Sequence, residues 1–298
     1  MTNERIPAWL ALVACLFLAA CAAERPQDPG HGAPQRIVVV APAAAEILEA
    51  LGLLDRVVGI GEFGPWPPPL ADRPLVGGYA SPNVERVLEL RADLVLTTRS
   101  EAATAAHARL EALGVRVVAL ETSTYDGVFE SLEHMGRLFG RESDTEAIAS
   151  RMRAEIEEVR VRARGAPPRR VLCVVGRDPL YVAGPGSHLD ELIRLVGGEN
   201  VAADAAAPYQ QFSLEAVLER LPQVIVDSSD NRAGAPRGRS VGAWGEFAFL
   251  PAVETDRVYW IDPRRLAIPG LRLPEMARLM GELVQPELFG EARPEELE

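Results

Sequence analysis

The stretch VERVLELRADLVL occupies residues 84–96, and LEAVLERLPQVIV occupies residues 214–226. Matched residues lie 130 positions apart throughout, with no gap: Glu85 falls on Glu215, Val87 on Val217, Leu88 on Leu218 and Glu89 on Glu219. The apolar runs at 94–96 and 224–226 coincide, and Tyr79 upstream falls on Tyr209. A second echo, EILEALG (46–52) and ELIRLVG (191–197), is displaced by 145 positions. A longer N-terminal loop containing PWPPP absorbs the difference. Chance agreement of two ordinary helix–strand units explains one echo. Two echoes in the same order favour a duplicated unit.

Working outward, residues 36–41 (RIVVVA) read as a short buried strand, 44–51 as a helix stopped by Gly52, and 56–60 as a strand. Asn83 starts the next helix, then come a strand at 94–97, a helix at 101–113 and a strand at 115–120. This alternation predicts a parallel sheet with helices outside it. Strand signals vanish over 125–165. There Ile148, Met152, Ile156, Val159 and Ala163 mark one helix face, so 143–164 reads as a single helix of about 33 Å. The rhythm restarts at 170–175 (RVLCVV), and Ser187 reads as the N-cap of the helix that follows. The expected class is α/β: two similar α/β lobes with mostly parallel sheets, joined by one long backbone helix. The segments are 1–20, 21–35, an N-terminal lobe at 36–124, a linker at 125–165 and a C-terminal lobe at 166–298. The acidic tail 287–298 reads as frayed.

The composition, 48% hydrophobic and 25% charged, supports a packed core, and a net charge of −12 lacks the basic footprint of a nucleic-acid binder. Residues 7–20 form an apolar run of signal-peptide length, ending in Leu18-Ala19-Ala20-Cys21. LAAC resembles the lipobox of bacterial lipoproteins, in which the cysteine carries the lipid; an ordinary signal peptide is the alternative. The Pro- and Gly-rich stretch after Cys21 reads as a tether. Once Cys15 leaves with the signal, Cys173 stands alone in an apolar strand, a buried structural thiol rather than a nucleophile.

No histidine pair has metal-ligand spacing, so neither a metal site nor a catalytic set is expected. Residues 59–64 (GIGEFG) fit GxGxxG, but the prolines that follow cannot open the helix a dinucleotide site needs. GPGS (184–187) reads as a turn with a capping serine in preference to an anion cradle. Asn83 and Ser213 place Glu85 and Glu215 at the second position of matched helices. Each acid complements its own helix dipole, and together they offer one exposed carboxylate per lobe to a basic partner. Phe63, Trp66, Tyr79, Tyr181, Tyr209 and Trp244 fall mostly in loops after strands, where α/β folds bind ligands. Core packing is the alternative for each ring; as a set they suit the walls of a cleft for a large, partly apolar ligand.

These features resemble the helix-linked substrate-binding proteins of bacterial ABC importers for cobalamin, ferric siderophores and haem, the class III periplasmic binding protein type. The similarity runs over about residues 36–284. SPNVERVLELRADLVL, RDPLYVAGPGSHLDELIRLVGGENVAAD and PYQQFSLEAVLERLPQVIV are its strongest pieces, and GGYASPNVE and PYQQFSLE are most like the docking helices of the cobalamin-binding branch. The resemblance implies that Glu85 and Glu215 dock onto arginines of an ABC permease that works with a cytoplasmic ATPase. It implies that Phe63, Trp66, Tyr79, Tyr181 and Tyr209 face the ligand, with Arg99 and Arg264 as donors to its amides or carboxylates. The ligand is then a metal-containing chelate such as a corrinoid, and no resident cofactor is expected. The basic stretch DNRAGAPRGRSVGAWGEF (230–247) keeps an anionic ferric siderophore open. The expected protein is exported, held to a membrane through Cys21, and monomeric. An enzyme or a lipid-anchored adhesion protein would need, respectively, an acid/base set or a flat surface in place of the cleft.

Overall fold

Short apolar runs at regular intervals make two sheets, each drawn from one half of the sequence. The computed structural model describes residues 32–78, 80–99, 101–229, 238–266 and 268–297. In the first half, β1 (Ile37–Val39), β2 (Val57–Ile60), β3 (Leu94–Thr98) and β4 (Arg116–Leu120) form a wholly parallel sheet in the order β2-β1-β3-β4. Helices α1 (Pro42–Ala50), α2 (Val84–Glu89) and α3 (Thr104–Ala112) connect successive strands. Gly52, at φ +68°, ends the turn after α1, as a residue without Cβ can.

In the second half, β5 (Arg169–Arg177) is followed by an antiparallel partner, β6 (Leu180–Ala183). Next come β7 (Gly198–Asn200), β8 (Tyr209–Gln211), β9 (Val224–Asp227) and β10 (Val258–Trp260). Its parallel strands run β7-β5-β9-β10. That order, second-first-third-fourth, is the order of the first sheet. β3 and β9 hold the same place in it, and they are the LVL and VIV runs of the longer echo. The second sheet differs by its antiparallel additions: β8 extends the β6 edge, and Gly238–Arg239 pairs with β10. These short antiparallel strands carry no period long enough to read from sequence.

Two helices lie between the sheets. α4 (Tyr125–Phe139), capped by Thr124, is a second helix within the 125–165 linker. α5 (Glu142–Arg162) is the expected long helix. Met152, Ile156, Val159 and Ala163 are buried along one face, with Ile148 packed against the same core. That core is continuous: it joins β1 and β3 to β5 and β9 through α4, α5 and α10 (Leu273–Val284). Residues 34–298 accordingly form one compact unit.

The remaining helices are α6 (His188–Leu195), α7 (Leu214–Arg220), α8 (Pro251–Glu254), α9 (Pro263–Leu266), α11 (Pro286–Phe289) and α12 (Pro294–Leu297). The last two correct the expectation of a frayed tail. Leu297 is 3% exposed in the main core, and its carbonyl accepts the N–H of Asp262 at 2.9 Å. One apolar residue among acids is a weak sequence signal, but its burial docks the segment. The region containing Cys21 lies outside the described residues, and among those described no helix is long and apolar enough to cross a membrane.

Candidate functional site

The duplicated helices begin as their sequence dictates. Asn83 Oδ1 accepts the N–H of Arg86 at 2.9 Å, and Ser213 Oγ accepts that of Ala216 at 3.1 Å. Glu85 and Glu215 therefore occupy the second position of α2 and α7. Both are exposed. Glu85 pairs with Arg109 on α3 at 3.0 Å, whereas Glu215 makes no ion pair among the described residues. A pair this exposed contributes at most about 1 kcal/mol, so Glu85 is readily released to a partner.

Two of the predicted aromatics meet on one ladder. Across β6 and β8, Tyr181 lies opposite Gln211 and Tyr209 opposite Ala183. The two-residue period of a strand puts both tyrosines on the same face, diagonal neighbours about 7–8 Å apart. They are 39% and 40% exposed. Burial pushes the Tyr209 phenol up to about 12, so it is protonated at physiological pH. Phe63, in the loop after β2, is 69% exposed, and a methyl group at Gly78 would come within 3.6 Å of its ring. Trp66 turns inward: its ring packs on the main core and its Nε1–H donates to the carbonyl of Gly61 at 3.1 Å. Tyr79 lies outside the described residues, between Gly77–Gly78 and Ser81–Pro82, which pair antiparallel. Trp244 is a correction. It is 1% exposed, packs in the second core and donates its Nε1–H to Asp227 at 2.9 Å, so it lines no open surface.

The two arginines are exposed, each beside an acid. Arg99, after β3, lies 3.6 Å from Glu121. Burial alone would raise the pKa of Glu121, but hydrogen bonds from Ser123 and the charge of Arg99 hold it below the ordinary range. Arg264, after β10, is clamped by both carboxylate oxygens of Asp262, at 3.0 Å from Nε and 2.5 Å from an Nη. The Asp262 clamp fixes the guanidinium plane of Arg264 and leaves its outer edge toward solvent, whereas Arg99 makes only a loose ion pair.

A further charged cluster at the carboxyl ends of β5 and β9 escaped the sequence reading. Arg177 donates to the buried Asp227 at 2.9 Å, and its guanidinium lies 4.9 Å from the Trp244 ring and 5.3 Å from the Trp260 ring. Its signal is an acid directly after the apolar run of β9 and an arginine ending β5. Cys173 is buried in β5 and its thiol is pushed up to about 12 by burial, which makes it inert. Ser187 donates to Gly184 O at 2.7 Å and accepts from Asp190 N–H at 3.2 Å, the capped turn expected of GPGS. No helix follows β2 directly, only a three-residue turn at Pro68–Leu70. Among the described residues no cluster of His, Cys, Asp or Glu is placed to hold a metal.

Known proteins share this arrangement. A family model for periplasmic binding proteins matches residues 37–265. An ABC transporter substrate-binding lipoprotein of Bacillus subtilis, YvrC, is 29% identical over 265 residues, 87% of this chain and 82% of that one. The structure of the periplasmic vitamin B12 binding protein BtuF of Vibrio cholerae superposes with a TM-score of 0.73 at 27% identity, covering 84% of this chain and 96% of that one. The periplasmic haem-binding protein BhuT, solved with two haems, gives 0.73 at 26% identity over 85% and 98% of the two chains. With paired sheets of one strand order and a long helix between them, the chain belongs to the periplasmic binding protein family, whose members are substrate-binding proteins of transporters and not enzymes.

Proposed function

We propose that this chain captures cobalamin or a related corrinoid between two lobes, residues 36–124 and 166–298, and delivers it to an ABC permease. The observation that carries the reading is the β6–β8 ladder, which presents Tyr181 and Tyr209 side by side on one face. Flat rings held by backbone pairing suit a large, rigid, partly apolar macrocycle. Phe63 adds a further exposed ring, Trp66 supports the Phe63 loop from beneath, Tyr79 is a further ligand contact, and Arg99 and Arg264 meet amide or carboxylate groups of the ligand. The similarity to a vitamin B12 binding protein points the same way. Delivery uses Glu85 and Glu215, one carboxylate on each of two matched helix starts, against basic groups of the permease. Cys21 carries the lipid that keeps the protein at the extracytoplasmic face of a membrane, and the protein acts as a monomer.

A second reading, haem or a ferric siderophore, is favoured by the equal structural similarity to a haem-binding protein. Titration of the purified chain with cyanocobalamin, hemin and a panel of ferric siderophores, followed by absorbance and thermal shift, decides between them. Saturable binding of cyanocobalamin alone supports the corrinoid. Saturable binding of hemin or a siderophore without cyanocobalamin replaces it.

A further inference from the structure

The proposed ligand wall has a support that none of its own residues provides. His188, the first residue of α6, is 2% exposed. Its Nε2 lies 2.6 Å from the carbonyl oxygen of Leu266, and its Nδ1 lies 3.2 Å from the hydroxyl of Tyr209. A carbonyl oxygen only accepts, so Nε2 carries the proton and donates. The neutral ring then has a lone pair at Nδ1, and the Tyr209 hydroxyl must donate to it. Burial favours this neutral form by lowering the pKa of His188. Leu266 ends α9, the same short helix that carries Arg264.

We propose that His188 is a positioning residue that fixes the Tyr209 ring in place before ligand arrives and ties it to the segment bearing Arg264; this rests on the reading that Tyr209 faces the ligand. Tyr209 is held at both ends. Its backbone pairs with Ala183, the preceding Pro208 carbonyl accepts from Gly184 N–H at 2.9 Å, and its hydroxyl is spent on His188. With its proton committed inward, Tyr209 offers the ligand a ring face and not a hydrogen-bond donor. The site thereby selects for a flat surface at this point, and the ring needs no ordering on binding.

Affinities of the full chain for cyanocobalamin and for hemin, measured for His188→Phe, His188→Asn, Tyr209→Phe and Tyr209→Ala, test this. Tyr209→Phe and His188→Phe should each weaken binding by about 2- to 10-fold, the range of one lost hydrogen bond. The combined Phe variant should be no weaker than either alone, and His188→Asn, which keeps an acceptor near Nδ1, should recover most of the affinity. Tyr209→Ala should be weaker than all of these. Wild-type affinity in Tyr209→Ala would overturn the reading that Tyr209 faces the ligand. A weakened Tyr209→Ala with an unaffected His188→Phe, or additive losses in the combined variant, would overturn the role of His188 alone. Nitrogen-15 spectra of the free wild-type chain give a readout that needs neither ligand nor variant: Nε2 of His188 should be protonated and Nδ1 bare. A proton on Nδ1 would overturn the proposal.

Discussion

Glu191, on α6 of the second half, accepts the backbone N–H of Tyr125 at 2.7 Å, at the first turn of α4. Its echo in the first half, Glu46 on α1, accepts in the same way but reaches forward along the chain. Glu46 accepts the N–H of Leu271 at 3.1 Å and pairs with Arg272 at 3.1 Å, just before α10. Each acid thus reaches out of its own α/β half to the start of a helix beyond it. Both were matched in the shorter sequence echo, and the structure gives that match a physical reason.

Glu46 is largely buried, and burial raises its carboxyl pKa despite the charge of Arg272. The folded state therefore tolerates a neutral group there. Glu46→Gln should change stability by less than about 1 kcal/mol, while Glu46→Ala, which strands the Leu271 N–H and Arg272, should cost about 1–3 kcal/mol. Urea unfolding of the two variants at neutral pH checks the difference.

Glu282 on α10 has a buried oxygen, Oε2, without a hydrogen-bond partner among the described residues. Burial, reinforced by the nearby Glu296 carboxylate, pushes its carboxyl from 4.5 up to about 7. Glu296, hydrogen-bonded by Arg293, is held down near 2. A folded-state pKa raised above the unfolded value means that stability from the Glu282 proton is fully present below about pH 4.5 and is lost as pH rises through about 7. Glu282→Gln should therefore be more stable than wild type by about 2–3 kcal/mol at pH 8 and nearly equal to it at about pH 4. Thermal melts at the two pH values measure this.

The docked tail gives a simple packing prediction. Leu297→Ala should destabilise the chain by about 2–4 kcal/mol, because a buried leucine leaves a cavity when truncated. A solvated, frayed tail would show no change in the denaturation midpoint.

What the sequence made legible follows from the range of each signal. Helix caps at Asn83, Ser187 and Ser213 act within three residues, and the parallel strands are short apolar runs bounded by turns; both were readable, as was the buried face of α5. The antiparallel edge of β6 and β8 was not, because three or four residues carry no usable period and their pairing is a long-range contact. Trp244 was misplaced because an aromatic in a Gly-rich loop reads as exposed. Its burial is fixed by Asp227 and Arg177, which only the fold brings near. His188 was visible as a lone histidine, but its two partners lie 21 and 78 positions away.

Docking and capture are separable in this account. Glu85→Ala with Glu215→Ala should leave ligand affinity within about twofold, since the exposed acids support neither ring, and should reduce uptake in cells. Arg109→Ala, which frees Glu85, should preserve uptake. Loss of ligand binding in the double acid variant would place those carboxylates in the wrong role.

The most direct measurement is calorimetric titration of the wild-type chain and of a Tyr181→Ala/Tyr209→Ala variant with cyanocobalamin. The prediction is saturable one-to-one binding by wild type, weakened about tenfold or more in the variant, as expected when two stacking faces are removed. Equal affinity in both proteins, or no saturable binding by wild type, would contradict a ring-walled corrinoid site.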